Sequence, residues 1–424
     1  MKMKNNIFKS GMTLVVSLLF FVCAGASQEK KILVGLWKGN LQLNDSTLLP
    51  FFFEVKKEKN KICLEIINSD ERIKVDEVSF KKDSVFIKMP VFDSEFKCLF
   101  IDGSQELKGV WINHSRKEKN KIPFTAIFCD CDWDSYCLNH KFVFPDSTKK
   151  YNYECTFSQY SKESSKAIGI FQNYSRNYLK GSFLTETGDY RYLYGLVNCD
   201  HMQFHLSCFD GSHAFLFAGK MKGDSIVDGH FYSGAHHHET WVAIRNDKFE
   251  LRDPDSLTYL KPGYTGIDFN FKNTAGKNVS LKDDKFKNKV VIIQLMGTWC
   301  PNCMDETKFL APFYETYKSK GLEVVALAFE RTDDFAKAIN NIERSKKRFN
   351  ANYEFLVTMK TGKEQASEAL PMLNAVMAFP TTIFIDKKGR VRKIHTGFNG
   401  PATGDAYTKY VEETTLFVEK LLAE

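Results

Sequence analysis

Beyond its first two dozen residues the sequence lacks any apolar run approaching the ~20 residues that carry a helix across a bilayer, so membrane contact is confined to the N-terminus. It also lacks a strong charge imbalance. The formal net charge is +7 over 424 residues, and removing residues 1–26 takes away three lysines and no acid, leaving +4. A nucleic-acid footprint needs Lys and Arg clustered on one face. The short basic runs 56–61 and 116–121 instead read as solvated hairpin turns, and no nucleic-acid partner is expected. Helical periodicity is missing between residues 32 and 244, which argues against an α or α/β fold there.

Length alone predicts two or three domains, since single cores stop growing near ~250–300 residues. At the N-terminus Lys2, Lys4 and Lys9 precede the apolar residues 12–22 and then Ala24-Gly25-Ala26. This is the layout of an export signal cleaved after Ala26, with an uncleaved anchor or a lipid on Cys23 as the alternative. Phe20-Phe21-Val22 are bulkier than lipid attachment normally wants. Export implies the periplasm or cell envelope, where disulfides persist. Between the signal and residue 300 lie eight cysteines, Cys63, Cys98, Cys129, Cys131, Cys137, Cys155, Cys199 and Cys208, and spacing does not assign their pairing.

Residues 27–245 read as an all-β region, a sandwich or barrel, because short alternating apolar runs such as 49–55, 62–67, 85–89 and 192–197 are separated by Gly, Asn, Asp, Ser and Lys turns. Residues 85–100 align without a gap on 202–217, matching Phe92, Asp93, Leu99 and Phe100 with Phe209, Asp210, Leu216 and Phe217. Two readings follow: a duplication into units of about 32–128 and 150–245, or two similar hairpins in one sandwich. Residues 246–261, framed by Pro254, read as a linker.

From residue 262 the pattern changes. A hairpin around Asn273-Thr274-Ala275-Gly276 leads to residues 290–296, an almost unbroken apolar run fit for a strand buried on both faces. Pro301 opens a helix whose Phe309, Phe313 and Tyr317 share a face, and Gly321 ends it. A strand over 322–329, a helix over 333–346, a short strand at 354–357, a hairpin of 381–385 with 391–394 and a helix over 406–422 complete an α/β domain.

Trp299-Cys300-Pro301-Asn302-Cys303 joins that buried strand to the helix. A cysteine at a helix N-terminus meets partial positive charge and unpaired N–H groups that favour its thiolate, and Cys303, one turn on, reaches the same sulfur. The pair predicts thiol–disulfide exchange, with Cys300 attacking and Cys303 resolving. Asp305 and Glu306 are expected as first-turn carboxylates, favourable to the helix dipole and opposed to a thiolate.

The stretch 297–306 with Phe379-Pro380-Thr381-Thr382-Ile383-Phe384-Ile385-Asp386 downstream resembles the TlpA/ResA-type thioredoxin-like thiol-disulfide oxidoreductases of the bacterial cell envelope, over roughly residues 262–424. The resemblance implies a thioredoxin-like fold, a cis-proline at Pro380 opposite the cysteines, and backbone at Phe379 offered to an extended partner chain. It further implies reduction of protein disulfides, a membrane-linked thiol electron donor, and no cofactor beyond the Cys300–Cys303 pair. One departure matters: many thioredoxins carry a buried acid six residues before the first cysteine, and here Gln294 stands there. Glu330, matching in placement a glutamate of that group, is the candidate to handle the Cys303 proton, the alternative being an exposed loop carboxylate.

A peroxidase of the peroxiredoxin kind wants a threonine three residues before its cysteine, and Thr298 lies two before Cys300. Zinc at Cys129-Asp130-Cys131 with Cys137, or at His236-His237-His238, ranks below idle thiols or disulfides and an exposed turn. The rival class is an envelope protein whose β region binds a ligand or partner, with the redox domain as accessory; Gly35-Leu36-Trp37 resembles the first strand of lipocalin-like barrels.

Overall fold

The computed structural model describes residues 32–101, 104–129, 144, 146, 148–175, 178–198 and 201–424. The expected export signal, Cys23, Cys131, Cys137 and Cys199 lie outside them. No helix among the described residues is long and apolar enough to cross a membrane.

The first nine strands are β1 Gly35–Gln42, β2 Leu48–Glu58, β3 Lys61–Asn68, β4 Glu71–Val75, β5 Glu77–Lys81, β6 Ser84–Lys88, β7 Ser94–Ile101, β8 Glu106–Asn113 and β9 Lys121–Phe128. They form one antiparallel sheet in the order β4-β3-β2-β1-β9-β8-β7-β6-β5. Its two edges, β4 and β5, are consecutive in the chain and joined through Asp76 alone, so the sheet must curl until they meet at that corner. Alternate residues point inward, as the period of two requires: Phe51, Phe53 and Val55 of β2 are buried while their neighbours are half-exposed.

A second antiparallel sheet follows: β10 Tyr151–Phe157, β11 Ser165–Ser175, β12 Tyr178–Thr185, β13 Gly188–Asp189, β14 Leu193–Asn198, β15 Gln203–Phe209, β16 Ala214–Lys222, β17 Ser225–Ser233 and β18 His237–Arg245. Pairing of β11 with both β10 and β12 closes it into an eight-stranded up-and-down barrel, with β13 added beside β12. Closure leaves no edge to aggregate. The interior is filled by stacked rings, with Phe183 4.3 Å from Phe217 and 5.3 Å from Trp241. In each sheet the aligned segments span the fourth-last and third-last strands, β6 and β7 in one and β15 and β16 in the other, with Phe92, Asp93 and Asp210 in the connections between them.

The two β units share a core. Phe209, at the end of β15, sits in the first sheet 4.7 Å from Phe51 and edge-on to Trp111 at 5.2 Å. Buried Asn68 then binds both backbone groups of Phe209, accepting its N–H at 3.1 Å and donating to its carbonyl at 2.9 Å. Cys63, Cys98, Cys155 and Cys208, whose pairing spacing left unassigned, are buried thiols that form no disulfide. They occupy barrel strands as small apolar residues, and burial pushes the Cys98 and Cys155 thiols up to about 12.

The third unit has β19 Asn270–Asn273, β20 Asn278–Ser280, β21 Val290–Met296, α1 Pro301–Tyr317, β22 Leu322–Ala328, α2 Phe335–Phe349, β23 Glu354–Val357, α3 Gly362–Ala369, β24 Thr381–Ile385, β25 Val391–Thr396 and α4 Asp405–Ala423. The sheet order is β20-β19-β23-β22-β21-β24-β25, with β21, β22 and β23 parallel. All seven residues of β21 are buried. Residues 246–261 are packed rather than loose: Asn374 binds Tyr259 N–H and the Leu257 carbonyl, and the Asp255 carboxylate meets His395 at 2.7 Å.

Candidate active site

Central β21 delivers Gly297-Thr298-Trp299 to the start of α1. Cys300 caps that helix in an extended conformation (φ −101°, ψ 111°), and its Sγ accepts the Cys303 N–H at 3.3 Å. The cap satisfies one of the helix's orphan donors with sulfur. The Phe379–Pro380 peptide bond is cis, and the Cys300 thiol donates to the Phe379 carbonyl at 3.4 Å. Both cysteines are buried, Cys300 being 7% and Cys303 0% exposed. Burial, then the hydrogen bond to Cys300, pushes the Cys303 thiol well above its usual range.

Trp299 is held from three sides. Its indole N–H donates to the Phe329 carbonyl at 2.9 Å, its ring meets Phe379 edge-on at 5.8 Å, and the Arg331 guanidinium lies 3.6 Å from its ring centre. Trp299, Cys300, Cys303, Phe379 and Pro380 are thus brought together. Glu330 is buried rather than an exposed loop carboxylate, and its two oxygens accept the Thr298 N–H at 2.7 Å and hydroxyl at 2.6 Å. Burial raises its pKa, with the Thr298 bonds opposing.

Asp305 and Glu306 are not first-turn carboxylates; both lie in the second turn of α1, Glu306 buried in the domain and Asp305 half-buried against Arg191. Glu306 is fully buried and accepts from Gln294 Nε2 at 2.8 Å, Thr382 Oγ1 at 2.5 Å and Tyr410 OH at 3.3 Å. The same Gln294 amide reaches the Cys303 carbonyl at 3.4 Å. Burial raises the Glu306 pKa, with the bonds from Thr382 and Gln294 opposing. A buried acid therefore exists beneath the pair, supplied by the helix instead of the strand. Its three-residue spacing from Cys303, which sets both on one helix face, was the available signal.

The β units reach the site as well. Asn302, between the two cysteines, donates to the Asp189 carbonyl at 3.2 Å, and Ser212 Oγ donates to the Trp299 carbonyl at 2.8 Å. Arg191 pairs with Asp305 of α1 and, at 2.6 Å, with Glu71 of β4. No spacing signal links these residues, since Arg191 and Asp305 are 114 positions apart. His236 is exposed in the β17–β18 turn and His237 and His238 are exposed at the start of β18, and no group of three metal-ligating side chains occurs among the described residues.

A capped Cys-x-x-Cys between a buried parallel strand and a helix, facing a cis-proline, defines an oxidoreductase of the thioredoxin-like class. Residues 261–409 match the Redoxin family. The chain is 30% identical over 156 residues to the thiol-disulfide oxidoreductase ResA of Bacillus thuringiensis subsp. konkukian, spanning 37% of this chain and 80% of that protein. For ResA of Bacillus subtilis the identity is 28% over 138 residues, or 32% and 69% of the two chains. Among solved structures, a thiol-disulfide oxidoreductase from Bacteroides fragilis covers 36% of this chain and 99% of its own (16% identity, TM-score 0.28). A secreted thiol-disulfide isomerase from Corynebacterium glutamicum covers 42% and 98% (18% identity, TM-score 0.31). The chain belongs to the TlpA/ResA-type thioredoxin-like thiol-disulfide oxidoreductases.

Proposed function

We propose that this protein is an exported reductase of protein disulfides in the periplasm or cell envelope, with Cys300 as nucleophile and Cys303 as resolving thiol. The observation that carries this reading is the geometry of the pair: Cys300 Sγ at the helix N-terminus, bound by Cys303 N–H and by the carbonyl of Phe379 before the cis-proline. The Cys300 thiolate attacks one sulfur of the partner disulfide, and the other sulfur leaves as a thiolate and takes a proton. Deprotonated Cys303 then attacks Cys300 Sγ, releasing the second partner thiol. The partner gains two electrons and two protons, and Cys300–Cys303 becomes the disulfide. A thiol donor linked to the membrane would return it to the dithiol.

The second step needs a base, because Cys303 holds its proton tightly in its buried position. Glu306 suits that role: it is buried, its pKa is raised, and the Gln294 amide joins it to the Cys303 backbone. Glu330, the acid first assigned to this proton, supports the site through Thr298 and so fixes the turn that carries Trp299 and Cys300. The backbone of Phe379 and Pro380 is the edge to which a partner chain would add. We read the two β units as a duplication serving this domain, since the aligned segments occupy equivalent strands and ring side chains fill the interior of the closed barrel.

Trapping tests the reading. A Cys303→Ser variant, acting in the native envelope, is expected to accumulate mixed disulfides through Cys300, and a Cys300→Ser variant to accumulate none. Retained reduction of insulin by Cys300→Ser would overturn the assignment.

A further inference from the structure

The face of the redox pair that a partner chain would approach is already occupied. Residues 187–191, around β13, lie across the turn carrying the cysteines and across the loop 397–400. Asn302 Nδ2 donates to the Asp189 carbonyl at 3.2 Å, Gly400 N–H donates to the Asp189 carboxylate, and Ser212 Oγ binds the Trp299 carbonyl at 2.8 Å. The approach is close enough to demand glycine: Gly188 has φ +138°, and a β-carbon there would lie 2.3 Å from Asn302 Nδ2. A β-carbon on Gly397 would fall 2.7 Å from the Thr187 carbonyl carbon. The cleft that remains beside Trp299, between Phe92, Ser212 and Arg331, has about 20 Å³ of room, enough for one water and not for a peptide.

Arg191 stands at the centre of this contact. It is 6% exposed and lies against carboxylates from all three units: Glu71 of β4 at 2.6 Å, Asp210 of the β15–β16 turn at 3.3 Å, and Asp305 of α1. The cluster is imperfectly satisfied. Asp210 Oδ2 lies 3.3 Å from Arg191 Nε and 3.6 Å from His213 Nδ1, and these three buried atoms make no aligned hydrogen bond. Buried polar atoms without aligned partners are costly. A contact built mainly for permanence would replace such a group with apolar packing, because buried ion pairs are often no better than hydrophobic isosteres. One cation holding three acids is also a single point of failure: without it, like charges from three units face each other.

We propose that the two β units form a built-in cover over the Cys300–Cys303 site, latched by Arg191, and that a protein disulfide reaches Cys300 only when the latch opens. This rests on the reading of Cys300 as nucleophile and adds its regulation. The closed form shields the dithiol from indiscriminate oxidation, and a partner that competes for the Asn302 and Trp299 contacts would both open the site and become its substrate.

The test uses the full-length reduced protein and a polymer-linked maleimide too bulky for the closed cleft, with Cys300 modification followed by peptide mass mapping. Arg191→Ala is expected to label at Cys300 on the order of a hundredfold faster than the parent, the scale of breaking a buried ion pair. The milder Glu71→Gln is expected to give a smaller increase in the same direction and covers the case in which Arg191→Ala does not fold. Equal labelling of parent and folded variants would overturn the cover, as would parent protein that labels at the rate of an unfolded thiol. The two readings fail separately. Fast labelling of Arg191→Ala with no mixed disulfide from Arg191→Ala/Cys303→Ser would sink the nucleophile assignment alone. Unchanged labelling with abundant mixed disulfide would sink the cover alone.

Discussion

Asp305 offers a sharp test, because two opposing effects act on it and their balance has a measurable sign. Its contact with Arg191 favours the carboxylate, as does Lys308, whereas burial and the nearby Glu71 and Asp189 disfavour it. Asp210 shares the same arginine. Burial, the largest influence, wins, and the Asp305 pKa is pushed up to about 7 from 3.8. A carboxyl with a higher pKa in the folded chain binds its proton more tightly there. Its contribution to stability is therefore fullest below about pH 4 and is lost as pH rises to about 7, then stays constant. About three units at ~1.4 kcal/mol each give roughly 4 kcal/mol over that window. Asp305→Asn cannot titrate, so the variant's stability relative to the parent should rise by about that amount between pH 4 and pH 8. Urea denaturation of both proteins across this range, followed by tryptophan fluorescence, measures the difference. A flat difference, or one that falls with pH as for an ordinary stabilising ion pair, would refute the reasoning.

Two further expectations concern neighbouring groups. Glu306→Gln should slow resolution of the mixed disulfide about a hundredfold, at the low end for loss of a general base, and remove one limb of the pH–rate profile measured by stopped-flow fluorescence. Glu330→Gln should leave the shape of that profile intact while weakening the Thr298 turn. Asn68→Ala strands both backbone groups of Phe209 and should cost about 1–3 kcal/mol in urea denaturation; no loss would mean that water replaces the amide.

The redox unit was the most legible part of the sequence because its signals are local. Residues 290–296 are apolar without interruption, the cysteines follow at once, and the α1 stripe of Phe309, Phe313 and Tyr317 is buried where its spacing put it. The short helix α3 escaped notice, since it buries only Ala366 and so has no apolar stripe. Asp305 and Glu306 were misread for a different reason: a carboxylate on a helix shows its setting only when its partners are known, and those are distant in sequence, Arg191 between β13 and β14 for Asp305, and Gln294 of β21, Thr382 of β24 and Tyr410 of α4 for Glu306. The state of the upstream cysteines was not legible in spacing alone. Export makes disulfides permissible, but alternation decides geometry, and Cys98, Cys155 and Cys208 each point into a core. Closure of the second barrel depends on β11 pairing on both sides, a choice that no single strand encodes.

Phe209 carries a consequence for how the molecule is made. The core of the first sheet includes Phe209, Ala214 and Leu216 of the second, so a chain emerging N-terminus first has an unfilled aromatic hole until residue 216 has been synthesised. Fragments ending near residue 128 should be sticky, and the natural cut for separate expression falls after residue 245. The catalytic unit comes last in this order, so its thiols are born beside a finished protein surface.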